Sequence, residues 1–112
     1  MKTSTEAISL KIFLDEDHTL HGKPLYEQIV IKAKKLELAG ATVIKGIMGF
    51  RAYHCIHTAK LLRLSEDLPV IIEIIDSQEN IDKLQPYLDE HLKTGLVTLE
   101  KVTQIKYQEK NK

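Results

Sequence analysis

A single cysteine, Cys55, stands in a chain of 112 residues, so no intrachain disulfide can brace the fold. No apolar run approaches the roughly 20 residues that span a bilayer. The opening MKTSTEAISLKIF also lacks the basic end and unbroken apolar stretch of a secretory leader. Net charge is absent as well, since Lys and Arg total 16 against 16 Asp and Glu. A neutral chain has no global field to attract nucleic acid or an anionic membrane, so any anion site must be local. No nucleic-acid partner and no direct membrane insertion are expected, and a reduced, cytoplasmic protein is the economical reading.

Several motifs are missing too. There is no Walker or dinucleotide fingerprint, and no two spaced pairs of ligands of the kind that build a structural zinc site. Single-stranded RNA binding on a sheet needs a pair of exposed aromatics, and only Phe13 is on offer, beside Glu73. The length suits one domain, 1–112, with a single two-layer core. Its ordered part is expected over about 6–107, with solvated tails at 1–5 and 108–112.

What is present is periodic. Ile8, Leu10, Ile12 and Leu14 alternate with Ser9, Lys11 and Phe13, which predicts a half-buried strand. The polar loop DEDHTLHGK leads to Pro24, suited to the first position of a helix running to about Leu38. That helix places Leu25, Tyr26, Ile29, Val30, Ala33 and Leu36 on one stripe, and Gly40 supplies its stop. Ala41 to Met48 is rich in β-branched residues and reads as a second strand; PVIIEIID, 69–76, is a third with apolar residues on both faces. Asp76 or Ser77 caps the next helix, with Glu79 completing a capping box if Asp76 is the cap. Its stripe is Ile81, Leu84, Leu88 and Leu92; Pro86 should bend it, and it ends at Gly95. Leu96 to Tyr107 is the last strand.

The order β-α-β-β-α-β predicts an α+β, ferredoxin-like two-layer sandwich, with both helices on one face of an antiparallel sheet. Right-handed crossovers then gather three loops at one end: 21–23, the long segment after Met48, and 93–95. Lys23, Arg51 and Lys93 are brought there from distant parts of the chain. The uncovered sheet face carries Phe13, Ile71 and Ile75 with Lys11 and Glu73. Scattered surface apolar residues are normal, but grouping on one face favours association through it, with Lys11 and Glu73 paired across strands or subunits.

The chemistry-bearing residues concentrate in GFRAYHCIHTAKLLRLSEDLP, 49–69, a connection longer than a hairpin needs and of a length that usually carries function. His54, Cys55 and His57 are metal-ligand types, but the segment offers at most three, and His18, His21 or another subunit would have to complete the shell. A local phosphate grip is better supplied. Gly46, Gly49 and Gly95 allow close backbone approach, Arg51 and Arg63 offer planar forks, and Lys23 and Lys60 offer point charges. Cys55 and His57 lack an orienting carboxylate at fixed spacing, so no enzyme is expected.

At HGKPLYEQIV, LAGATVIKGIMGF, IHTAKLLRLSEDLPVIIEIID and GLVTLEKVTQIKY the sequence resembles a family of small bacterial and archaeal proteins of unknown function, described as PII-like signalling proteins. The resemblance runs from about Leu10 to Tyr107 and is similar in fold to PII and CutA. It implies a homotrimer of ferredoxin-like subunits with a T-loop after the second strand, and an adenine nucleotide bound between adjacent subunits. By position it implicates Gly46, Ile47, Met48, Gly49 and Arg51 at the base of that loop, and Gly95, Leu96 and Val97 at the start of the last strand. Lys106 and Tyr107 would come from a neighbouring subunit. KTGLV is shorter and less basic than the PII phosphate loop, which suggests AMP or ADP rather than ATP; Tyr53 is only roughly placed against the tyrosine modified in some PII T-loops. The implied partner is a membrane transporter, a channel or an enzyme. A CutA-like divalent-metal protein using His54, Cys55 and His57 is the alternative.

Overall fold

The computed structural model describes residues 1–50 and 68–109. The alternating stretch at 8–14 lies inside a longer strand, β1 (Lys2–Asp15), which buries Ile8, Leu10, Ile12 and Leu14 against the helices. After it come a two-residue pair, β2 (Thr19–Leu20) and β3 (Lys23–Pro24), then α1 (Leu25–Lys35) and β4 (Thr42–Lys45). The chain continues with β5 (Pro69–Asp76), α2 (Gln78–His91) and β6 (Leu96–Tyr107). The main sheet has the order β4-β5-β1-β6 with every neighbouring pair antiparallel. This is the ferredoxin-like arrangement, and the core lies between the sheet and the two helices. Leu25, Ile29 and Ala33 enter it from α1, and Ile81, Leu84 and Leu88 from α2.

Several boundaries differ from expectation for physical reasons. Residues 2–5 are not a tail: Lys2 to Glu6 pair with Thr103 to Tyr107, a two-stranded ribbon extending past the end of β5. The polar loop before α1 contains a hairpin whose two turn residues, His21 and Gly22, both have positive φ (53° and 79°), as a type I′ turn requires. Pro24 belongs to that hairpin, and α1 begins one residue later. The second strand is four residues long rather than eight, because the backbone leaves the ladder at Gly46. In α2 the N-cap is Ser77, whose Oγ accepts from the Asn80 N–H at 3.2 Å, and Pro86 sits within one continuous helix that ends at His91 rather than Gly95.

The end of α1 departs most instructively from its expected stop. The helix closes at Lys35, and the Leu38 N–H donates to the Ala33 carbonyl at 3.0 Å while the Glu37 N–H donates to that of Lys34 at 3.0 Å. This pair of bonds is a Schellman motif, and it places Glu37, not Gly40, in the left-handed region at φ 63°. Glycine is the residue this position favours, since a Cβ there crowds the following carbonyl. Glu37→Gly is therefore expected to stabilise the chain by about 0.5–1 kcal/mol, less than the full left-handed penalty because glycine also loosens the unfolded chain. Urea melts of the two proteins at one chain concentration check this.

Candidate functional site

The ends of β1, β4 and α2 and the starts of β5 and β6 meet at one end of the molecule, as the crossovers dictate. Two residues just beyond β1 stitch that end together. The Glu16 N–H donates to the Leu68 carbonyl at 2.9 Å, its Oε1 accepts from the Leu68 N–H at 3.4 Å, and its Oε2 pairs with Lys45 Nζ. Glu16 thus grips the last residue of β4 and the residue just before β5. The hydrogen bond from Lys45, helped by the Leu68 N–H and by the charge of Lys45, lowers the Glu16 carboxyl from its ordinary range and outweighs the opposing effect of burial. Reciprocally, hydrogen bonding to Glu16 and its charge raise Lys45.

His18 joins the neighbouring loop. Its N–H donates to the Asp15 carbonyl at 3.1 Å and its carbonyl accepts from the Leu25 N–H at 2.8 Å, which fixes the hairpin leading into α1. Its Nε2 accepts from the Lys93 backbone N–H at 3.1 Å. Only an imidazole nitrogen without a proton can accept, so the neutral ring ties the β1–β2 turn to the α2–β6 loop.

The glycines have structural work of their own. A Cβ on Gly46 would stand 2.7 Å from the Pro69 ring and one on Gly49 would stand 3.1 Å from it, so both glycines fold the chain tightly round Pro69. The Gly46 N–H donates to the Pro69 carbonyl at 2.7 Å and closes the β4–β5 ladder. Close packing against this proline is therefore one reason for glycine at both positions. Gly95 is needed for a different reason, its φ of 156° and a Cβ position 2.8 Å from the Phe13 carbonyl oxygen.

The expected site residues fall into separate groups. Lys23 is exposed in the hairpin, and Ile47 and Met48 are exposed just past β4 with Phe50. Gly95, Leu96 and Val97 open β6. Because β4 and β6 are the two edges of a four-stranded sheet, three strand spacings separate them, about 14 Å. Leu96 opposes Phe13 on the open face, while Val97 opposes Ile12 and packs against the core, so their side chains point to opposite faces. Lys106 and Tyr107 stand opposite Thr3 and Lys2, at the far end of β6 and roughly 35 Å from its start. Lys93 does reach the end where β6 begins, but its Nζ donates to the Glu90 carbonyl at 3.1 Å. Arg51, Tyr53, His54, Cys55, His57, Lys60 and Arg63 lie outside the described residues. Among the described residues no three His, Cys, Asp or Glu side chains gather as metal ligands, and no helix is long and apolar enough to cross a membrane.

The open face of the sheet completes the geometry. Leu96, Phe13, Ile71 and Ile44 stand in one register row across all four strands. The adjacent row is Thr98, Lys11, Glu73 and Thr42, which sets Lys11 directly opposite Glu73. Phe13 and Ile71 were legible as open-face residues; Ile44 and Leu96 were not assigned to it, and alternation carried through the register would have placed both there. Glu16, His18 and Lys45 were also missed as linked groups. Nothing in their local sequence signals a partner 29 or 75 residues away.

Comparison with known proteins agrees with this architecture. Residues 7–104 match the DUF190 family, described as uncharacterised. A UPF0166 protein of Aquifex aeolicus is 42% identical over 94 residues, covering 83% of this chain and 88% of the relative. A UPF0166 protein of Methanocaldococcus jannaschii is 40% identical over 91 residues, covering 80% and 83%. Among solved structures, CPII from Thiomonas intermedia K12, a nitrogen regulatory PII-like protein, bound to ADP and bicarbonate, superposes with a TM-score of 0.61 at 18% identity, covering 91% of both chains. That likeness is one of fold, the ferredoxin-like α+β arrangement of a PII-like protein. With the match spanning nearly the whole chain and close relatives in two organisms, the protein belongs to the DUF190 (UPF0166) family.

Proposed function

We propose that the chain is a PII-like regulatory protein, a homotrimer that binds an adenine nucleotide between subunits and reports occupancy to a protein partner through the segment after β4. The observation that carries this reading is the split of the site within one chain. Gly46 to Phe50 follow one edge strand, β4, Gly95 to Val97 lead into and open the other edge strand, β6, and Lys106 and Tyr107 lie at the far end of β6. A second copy brings one chain's edge beside another's and closes a cleft that a single chain leaves open. The apolar row Ile44, Ile71, Phe13 and Leu96 supplies a surface through which copies associate.

The neighbour of similar fold that holds ADP supports the ligand class. Backbone groups at Gly46 to Met48 and at Leu96 to Val97 line the adenine in this reading, and Lys23 and Arg51 hold phosphate. The short KTG turn favours AMP or ADP over ATP. The protein acts in the cytoplasm as a binding module, not an enzyme, and its partner is a transporter, a channel or an enzyme. Titration calorimetry with AMP, ADP, ATP and cyclic AMP tests it: heat is expected with AMP or ADP at protein concentrations suited to micromolar binding, and no heat with any of the four would overturn the reading.

A further inference from the structure

Lys45 is the last residue of β4 and immediately precedes the stretch proposed to line the adenine. Its side chain is half exposed, and its ammonium is already held by an anionic oxygen of Glu16. Two carboxyl-bearing or phenolic neighbours from α1, Tyr26 and Glu27, also contribute to its electrostatic surroundings. Exposed ion pairs of this kind add little stability, because solvent screens them and two side chains must be ordered. The geometry around Glu16 is more specific than a surface pair. One oxygen takes Lys45, the other takes the Leu68 N–H, and the backbone N–H takes the Leu68 carbonyl. Of the cations read from the sequence, Lys93 is turned onto the Glu90 carbonyl and Lys23 stands exposed in the hairpin. Lys45 is the described cation at the end of the sheet strand that leads into the proposed cleft.

A carboxylate and a phosphate present the same kind of oxygen to an ammonium. We propose that Lys45 is a phosphate-binding residue of the inter-subunit cleft, and that Glu16 occupies its ammonium in the ligand-free chain, so that the anion and the Glu16 clamp compete. This rests on the nucleotide reading above and adds a coupling to it. When phosphate takes Lys45, Glu16 loses the partner that positions it, and its hold on Leu68, just before β5, weakens. Occupancy is then transmitted to the residue that ends the long connection, by exchange of one anion for another.

Calorimetry with ADP and with inorganic pyrophosphate on the full chain, wild type beside Glu16→Gln, Lys45→Gln and Lys45→Arg, separates the two ideas. Glu16→Gln keeps the size and an acceptor for the Leu68 N–H but removes the competing charge, so it should tighten anion binding by about three- to tenfold. Lys45→Gln should weaken it by about tenfold or more, while Lys45→Arg keeps it within about threefold, as expected for one charge-assisted hydrogen bond. Amide hydrogen exchange gives a second readout: ADP should speed exchange at Leu68 in the wild type and not in Glu16→Gln. Circular dichroism shows that each variant is folded. ADP binding with equal affinity by all four proteins, or weakened by Glu16→Gln, overturns the Lys45 assignment and leaves the nucleotide reading standing. The predicted pattern with pyrophosphate but no ADP binding does the reverse, and binding of neither anion overturns both.

Discussion

Replacing Ile71 with arginine should convert the proposed trimer into monomers and abolish detectable nucleotide binding, while the single chain stays folded. Ile71 occupies the second strand in from the β4 edge, flanked in register by Ile44 and Phe13, with Leu96 beyond. None of these side chains enters the core between sheet and helices, so their burial depends on a second surface. Each large aliphatic or aromatic group removed from water contributes about 1.5–3 kcal/mol, and a symmetric assembly repeats the row once per subunit. An arginine in the row must instead lose its hydration on association, a cost of several kcal/mol per ion that no partner in an apolar row offsets. In the monomer the same arginine stays in water, on the face that also carries Glu73 two residues along the strand. Sedimentation equilibrium measures the effect as a fall from three times the 12.8 kDa of one chain to that value. ADP titration of the same variant should give no heat, because the cleft needs two copies. A variant that remains trimeric, or a monomer that binds ADP as the wild type does, would count against the proposed assembly.

The parts of this fold that were legible in the sequence are those where burial imposes a period. Ile8 to Leu14 alternates because one face of the strand meets the helices, PVIIEIID is a short apolar run because Ile71 and Ile75 also make its other face apolar, and the stripes of α1 and α2 repeat at helical spacing because one side of each helix enters the core. KTSTE is polar on both faces, so its place in β1 left no such signal; it is held by backbone pairing to β6, which any side chain permits. The early exit of β4 at Gly46 and the turn of α1 at Glu37 were equally hidden, because contacts to Pro69 and to Ala33 decide them. At the candidate site the glycines and cations could be grouped at one end by topology. Glu16 and His18, which tie those loops together, are set by distances across the fold and not by any local pattern.

Removing the Asp76 carboxylate should destabilise the chain by about 2–3 kcal/mol, a cost set by the hydrogen-bond donors it leaves behind. Asp76 ends β5 and is 7% exposed. Its Oδ2 accepts from the Ala39 N–H at 2.8 Å, and its Oδ1 accepts from the Ser77 N–H at 2.7 Å and from Asn80 Nδ2 at 3.0 Å. One side chain therefore ties the α1–β4 turn to the first turn of α2. Burial alone would raise this carboxyl, but the N–H donors of Ala39, Asn80 and Ser77, with the more distant charge of Lys106, outweigh it and lower the group from its ordinary 3.8. The sign of the pH dependence follows. Above the ordinary value the carboxylate is charged in both folded and unfolded chains and its contribution is full; as pH falls through the lower folded value, that contribution is lost. Asp76→Asn keeps one oxygen to accept from the Ser77 N–H and Asn80 Nδ2 but turns its N–H₂ toward the Ala39 N–H, so it should fall between the wild type and Asp76→Ala. Urea melts from pH 7 down to pH 3, at one chain concentration because assembly shifts apparent stability, should show a flatter acid limb in both variants than in the wild type. An Asp76→Ala protein as stable as the wild type at neutral pH, with the same acid limb, would mean that the three bonds contribute nothing net and that the α1–β4 turn is held by Leu38 in the core instead.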